Sequence, residues 1–339
     1  MDAKITKNRV GHLLSYDWIK ILAICAAVVV VWVILFTTIA PRATDGQKFE
    51  VYVYTRVSYY TDRFGKLDSL HEKDALSYDV LDYSVNTLLE DSASTVLAAH
   101  FGAGQGDVMF ISGYEYEETD SDGNKTTTSD LKNFLYSYGG NCVWLGDSAD
   151  YPLGESTNPN AQSYLGNCRA YLEKYYPDGL GGEMDKSAVE SDFRARAKGD
   201  NRYKRESQIK AGLEKEYVRI ERLLEGYNNV MGYLEDGTVS ITSVEAQVQS
   251  NKDENGDGRV DENDVIDATL QYSFDLSNVT GLDKLLTSTR SADGTSTREG
   301  VNMIVLNTRL QEEALRYEQI TFLDFIVRES ARLQTQETA

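Results

Sequence analysis

Hydrophobic positions fall into three kinds of pattern along this chain. The first is a solid block. Ile21 to Ala40 (ILAICAAVVVVWVILFTTIA) runs through twenty residues without a charge and marks no solvent face. At about 1.5 Å of rise per helical residue, the block reaches roughly 30 Å, the hydrocarbon thickness of a bilayer. It is expected to contact the lipid bilayer through residues 21–40 as a single transmembrane helix, with Trp18 placed where an interfacial aromatic sits. Lys4, Lys7, Arg9 and Lys20 precede the block, whereas Arg42 and Lys48 beyond it are diluted by Asp45 and Glu50. This asymmetry assigns residues 1–20 to the cytoplasm and everything after a linker at 41–48 to the outside of the cell membrane. A cleaved leader fits less well, because its apolar region is usually about 7–15 residues and Pro41 would follow the cut. A lipoprotein signal at Leu22-Ala23-Ile24-Cys25 would need a small residue where Ile24 stands.

The second pattern is alternation and short apolar runs. Phe49 to Val57 (FEVYVYTRV) alternates and predicts a strand, Tyr78 to Leu89 predicts another, and Asp107 to Ser112 (DVMFIS) reads as a buried one. Between them SASTVLAAHF predicts a helix, capped by Asp91 or Ser92 and stopped by Gly102, Gly104 and Gly106. Strand, strand, helix, strand implies an α/β fold with a largely parallel sheet over 49–150. Glu115 to Ser129 predicts an exposed turn or hairpin tip, and Asp130 to Tyr138 a short helix. Val244, Ala246 and Val248 alternate before an acidic loop, and Leu270, Tyr272 and Phe274 after it, so the loop is expected to close a β-hairpin at about 239–276.

The third pattern is a spacing of three or four. From about Ser163 to Leu234 the chain reads as helical. Ile209, Leu213, Tyr217, Ile220, Leu224, Tyr227, Met231 and Leu234 form one apolar stripe, taken as core packing. Residues 151–330 are thus expected to be a mainly helical second region. It is closed by a strand at Val301–Leu306 and an amphipathic helix through Leu310, Leu315, Ile320 and Ile326, before a frayed polar tail at 331–339.

Charge narrows the function. With 34 Lys and Arg against 54 Asp and Glu, the chain carries −20 and repels phosphate backbones, so no nucleic acid is expected as a partner. Three His and three Cys leave little for histidine catalysis or a zinc site, and His71 and His100 have no nucleophile motif nearby. Gly102-Ala103-Gly104-Gln105-Gly106 stands between a helix and a strand, the reverse of the order that cradles phosphate. No enzyme signature is found. Lys186 to Arg222 is locally positive, eleven basic residues against seven acidic, and reads as a solvated helix face with ion pairs rather than a docking patch for acidic polymers or headgroups. Cys142 and Cys168 are compatible with a disulfide and equally with two unpaired residues.

One motif carries a specific chemistry. Asp253 to Asp264 (DENGDGRVDEND) offers Asp253, Asn255, Asp257, the Arg259 carbonyl, Asp261 and Asp264 at the spacing of an EF-hand-type calcium loop, with Gly258 at the sharp turn. Ca2+ is therefore the expected cofactor, in a structural role. Closed by Asp and running D-x-N-x-D-G-x-V, the loop resembles those of dockerin modules, although there is only one of it.

The run FEVYVYT, the strand at Tyr78–Leu89 and SASTVLAAHFGAGQGDVMFIS resemble the first lobe of type II extracellular solute-binding proteins. YSFDLSNVTGLDKLL, VNMIVLN and LRYEQITFLDFIV resemble that family's second lobe and C-terminal helices. The whole chain also resembles membrane-anchored proteins of Firmicutes. The resemblance implies a periplasmic-binding-protein-like α/β domain with a helical middle region. Its ligand cleft would lie near Tyr59, Tyr60, Tyr114 and Trp144, whose rings suit a sugar or peptide. It implies a tethered domain that binds a small-molecule ligand for an ABC-type transporter, handing it to a membrane permease, or for a sensor. The alternative is a non-catalytic structural or interaction subunit among other membrane-protein subunits at the cell surface, stabilised by calcium.

Overall fold

A computed structural model of the protein describes residues 18–39, 43–89, 92–119, 123–145, 163–250, 252–260, 264–290, 294–308 and 315–338. Met1–Thr44 and Asp45–Ala339 form two separate units. The apolar block becomes helix α1 (Trp18–Ile39), which starts three residues before the first residue of the uncharged run and takes in Lys20. Over Trp18–Leu35 its mean hydropathy is 2.7 and none of it is buried, so it is long and apolar enough to span a membrane.

In the second unit the alternating run becomes β1 (Lys48–Tyr54), flanked by β3 (Asp82–Leu88) and β4 (Val108–Ser112), both parallel to it. Beyond β4 the sheet changes character. β11 (Val301–Val305) runs antiparallel to β4, and β8 (Val265–Asp275) and β7 (Ser240–Gln249) continue antiparallel, giving the order β3-β1-β4-β11-β8-β7. The expectation of a largely parallel sheet therefore holds for one half only. The other half is a hairpin and a returning strand, which need no crossover helix. The division expected near residue 150 runs through this sheet, since strands from both sides of it are hydrogen-bonded together within one unit.

Period-two alternation sends neighbouring residues to opposite faces. Phe49, Val51, Val53, Phe110 and Met303 enter one core, while Tyr52, Met109, Ile111 and Ile304 enter the other. The second core is covered by α4 (Ala93–Gly102) and α5 (Asp130–Tyr138), through Leu97, Leu131 and Phe134. The first is covered by α6 (Tyr164–Glu173), α7 (Lys186–Ala197), α8 (Glu206–Asp236) and α9 (Glu318–Thr338). Phe322 of α9 packs against Phe49 in a tilted arrangement with centroids 5.1 Å apart. Short helices α2 (Thr61–Phe64) and α3 (Leu67–Glu72) join β1 to β3. A second, three-stranded sheet has the order β10 (Ser296–Thr297), β9 (Leu286–Thr289) and β2 (Val57–Tyr59), and β5 (Glu115–Thr119) pairs with β6 (Lys125–Ser129) as the expected hairpin.

Three expectations are revised. The stripe on α8 is rotated: Leu213, Ile220 and Tyr227 are buried, but Met231 is 39% exposed, and the buried row also takes in Glu216 and Arg219. The tail from 331 onward is helical as far as Thr338, held by an Arg332–Glu329 ion pair and the Thr335 hydroxyl donating to the Arg332 carbonyl. Helix α9 starts at Glu318; of the residues expected before it, Leu310 lies outside the described residues and Leu315 is buried. Cys142 is buried in the second core and Cys168 in the first, both as free thiols, on opposite sides of the sheet. The glycine turn joins helix to strand, as read. At Gly106, φ is +105° and a Cβ would lie 2.5 Å from the Tyr52 ring, so no other residue fits there.

Candidate functional site

The four aromatic residues expected around one cleft are not gathered. Tyr59 packs edge-on against Phe64 (5.3 Å) in the first core, and Tyr60 is 46% exposed with the Arg63 guanidinium over its ring. The Tyr114 hydroxyl bonds the Thr297 hydroxyl at 2.7 Å, and the Arg290 guanidinium lies 5.1 Å from its ring. Tyr59 and Tyr114 thus border the small three-stranded sheet, where Tyr59 stands opposite Leu286. Trp144 packs on the second core instead, and its carbonyl accepts the Tyr164 N–H. The Tyr59 and Trp144 rings are spent on packing.

The acidic loop joins two paired strands, as expected. Strands β7 and β8 pair from Ser240↔Asp275 to Gln249↔Val265, and the loop closes that hairpin. The Asp253 carboxylate accepts the amides of Gly256 (2.6 Å), Asp257 (3.1 Å) and Gly258 (2.7 Å). The Asn255 side chain accepts the Asp257 amide, and Asp257 accepts that of Arg259. Asp264 is fully buried and accepts the amides of Glu254 and Asn255 at 2.7 and 3.1 Å. Asp261 lies outside the described residues. The donor set is all oxygen, which suits a hard cation. Among the described residues, however, no three His, Cys, Asp or Glu side chains come together to hold a metal; backbone amides take up the carboxylates instead.

A different constellation forms where the locally basic segment folds back onto the first half of the chain. Asp79 and Glu216 are 2% and 4% exposed. Arg196 reaches both, at 2.8 Å each, and Arg202 donates to Asp79 (2.9 Å) and Asp200. Arg219 clamps Glu216 through Nε (3.1 Å) and Nη2 (2.9 Å) and donates to the Tyr171 hydroxyl at 2.7 Å. The Tyr78 hydroxyl gives Glu216 a further bond at 2.8 Å. Burial alone would raise the Glu216 carboxyl, but Arg219, Arg196 and Tyr78 overcome it and hold it down to about 2. These arginines were expected on a solvated face. Three of them are instead the interior ties between α7, α8 and the residue 78–79 segment.

Beside this network lies a groove of about 500 Å³, within the range that holds small molecules. Leu76, Val218 and Leu223 give it apolar walls; Asp74, Lys215 and Arg222 stand at its rim, and Arg219 and Glu318 line its depth. Glu318 is the first residue of α9 and is 3% exposed; its Oε2 accepts the Ser77 N–H at 2.8 Å. Burial pushes its carboxyl above the usual range, against the pull of Arg219 and of Ser77. No residue of this groove was singled out by motif. The only trace in the chain is the spacing Glu216, Arg219, Leu223, which puts charges on a core-facing helix row.

No protein-family model, curated protein or solved structure matches this chain.

Proposed function

We propose that the chain is a membrane-tethered, extracellular binding module, held by α1 and presenting the groove between the 71–78 segment, α8 and the start of α9 to a small ligand. The groove carries this reading: it has apolar walls and a buried carboxyl, and a network of ion pairs holds its sides in place. The reading is of capture, through apolar walls and one buried carboxyl, and not of turnover. Calcium at 253–264 belongs to the same proposal, pinning the hairpin loop. A thermal-shift screen of sugars, peptides and amines against the full chain in nanodiscs tests the module. A shift that disappears in Val218→Trp supports it, and a ligand whose shift ignores that substitution counts against the groove. Protease added to intact cells should remove residues beyond 44 if the domain faces outward.

One observation favours a second reading, a non-catalytic subunit that holds a membrane partner. Asp45–Ala339 is one unit around one main sheet, so it lacks the pair of lobes that close over a solute in two-lobed binding proteins. Co-purification of a stoichiometric membrane protein, together with a groove that binds nothing, would favour this reading over the first.

A further inference from the structure

Ion pairing is uneven among the acids of this network. Asp79, Asp200 and Glu216 each meet at least one guanidinium within 2.9 Å. Each arginine is already committed: Arg196 to Asp79 and Glu216, Arg202 to Asp79 and Asp200, Arg219 to Glu216 and the Tyr171 hydroxyl. Glu318 is the carboxylate left over. It has no ion pair to a described residue, its bond being to the Ser77 backbone N–H, and it is the member of the set that lines the groove together with Arg219. A buried carboxylate with no direct ion pair is costly even with Arg219 pulling on it from the same groove, and a cation supplied from outside would relieve it.

We infer that the groove takes a small organic cation, a primary ammonium on an apolar body, with the ammonium delivered to Glu318 and the body laid against Leu76, Val218 and Leu223. A cation gives Glu318 the ion pair it lacks among the described residues, a neutral hydroxyl does not, and an anion meets a like charge. At the rim, Arg222 is already paired with Asp74 and Glu225, and Lys215 lies over the Tyr78 ring, 5.7 Å from its centroid. The net charge of −20 enriches cations around the chain before any contact is made. The inference rests on the groove being the ligand site.

The test uses three probes that share a ring and differ in the head group: benzylamine, benzyl alcohol and benzoate. Each is titrated calorimetrically into the full chain in zwitterionic nanodiscs, with empty discs as the blank. Benzylamine is expected to bind at least about tenfold tighter than benzyl alcohol, with benzoate weakest, a gap that one charge-assisted bond supplies. Glu318→Gln should erase the advantage of the amine and leave the alcohol unchanged. Val218→Trp, at a position 51% exposed and so tolerant of bulk, should weaken both. If the alcohol or benzoate binds wild type as well as the amine does, and Val218→Trp still weakens it, the ligand class is wrong while the groove stands. If no probe binds, or Val218→Trp changes nothing, the groove fails and the cation with it. Should Glu318→Gln not fold, the ranking of the three probes on wild type and Val218→Trp still decides.

Discussion

Two regions of this protein concentrate charge and neutralise it by opposite means. Around Glu216 the carboxylates are buried and met by guanidiniums from three separate stretches, and Arg219 itself is only 4% exposed. Around Asp253, that residue and Asp257 sit at the surface while Asp264 is buried; among the described residues no arginine or lysine side chain pairs with Asp253 or Asp257, and backbone amides point at them instead. In water an amide cage is enough, since the solvent screens what the amides leave. In the interior desolvation is far costlier, and around Glu216 full opposite charges offset it. The first region should therefore fail abruptly when one partner is removed. The second should respond in small steps to whatever cation is in solution.

The largest effect is expected at Arg219. Arg219→Met leaves Glu216 buried with its main clamp gone, and should destabilise the protein by about 3–5 kcal/mol in urea unfolding of the full chain. Adding Glu216→Gln to it should restore much of the loss, because the orphaned charge disappears with the clamp. A loss under about 1 kcal/mol for the single variant would mean that Glu216 is solvated in solution and that the contrast drawn above is false.

Acid should open the same region next. Glu216 faces Arg219 on its own helix, Arg196 from α7 and Tyr78 from the residue 78–79 segment. Its folded value, held down to about 2, lies below the ordinary carboxyl near 4.3. The stabilisation is therefore complete above about pH 4.5 and is lost as pH falls toward 2, worth about 3 kcal/mol in all. Glu318 acts with the opposite sign. Its raised value weakens folding as pH climbs above the ordinary carboxyl range, so it cannot produce a loss at low pH. Comparing the acid limb of stability for wild type and Glu216→Gln checks this; the variant should show a shallower limb.

Much of the frame could be read from the chain itself. The uncharged block, the alternation of Phe49–Val57, the all-apolar Val108–Ile111 and the strands flanking the acidic loop each carry a local period, and each forms the element that period predicts. What could not be read depends on pairing across distance. Tyr78 and Glu216 are 138 positions apart, and nothing local to either marks the other. A charged residue on an amphipathic helix defaults to the solvent side in any periodic reading, so Glu216 and Arg219 fall outside the apolar stripe that they help to form. The aromatic cleft failed for a related reason. Tyr59, Tyr114 and Trp144 were grouped through a family likeness, whereas their rings pack on two different cores and a small sheet.

The loop region is the place for smaller effects. If calcium fills the Asp253–Asp264 site in millimolar buffer, EDTA should lower the melting point of the full chain, by the equivalent of about 1–3 kcal/mol, and excess calcium should restore it. Magnesium should restore less, since it needs tighter, near-octahedral geometry. An unchanged melting curve with no calcium heat in calorimetry would leave the backbone amides as the whole explanation of the loop. That outcome would sharpen the comparison rather than break it, because a surface cluster would then need no ion at all.

The smallest expected effect tests whether the two regions are independent. Gly258 has φ +85°, and a Cβ there would meet no heavy atom within 4 Å. Gly258→Ala therefore carries backbone strain without a clash, about 1 kcal/mol. No hydrogen bond or ion pair joins the described loop residues 252–260 to Glu216, Arg219 or their partners. The cost of Gly258→Ala should thus add to that of Arg219→Met within about 0.5 kcal/mol in the double variant. A coupling beyond about 1 kcal/mol would mean that strain in the hairpin loop reaches α8 through the sheet, and the loop and the arginine network would have to be treated as one charged system instead of two.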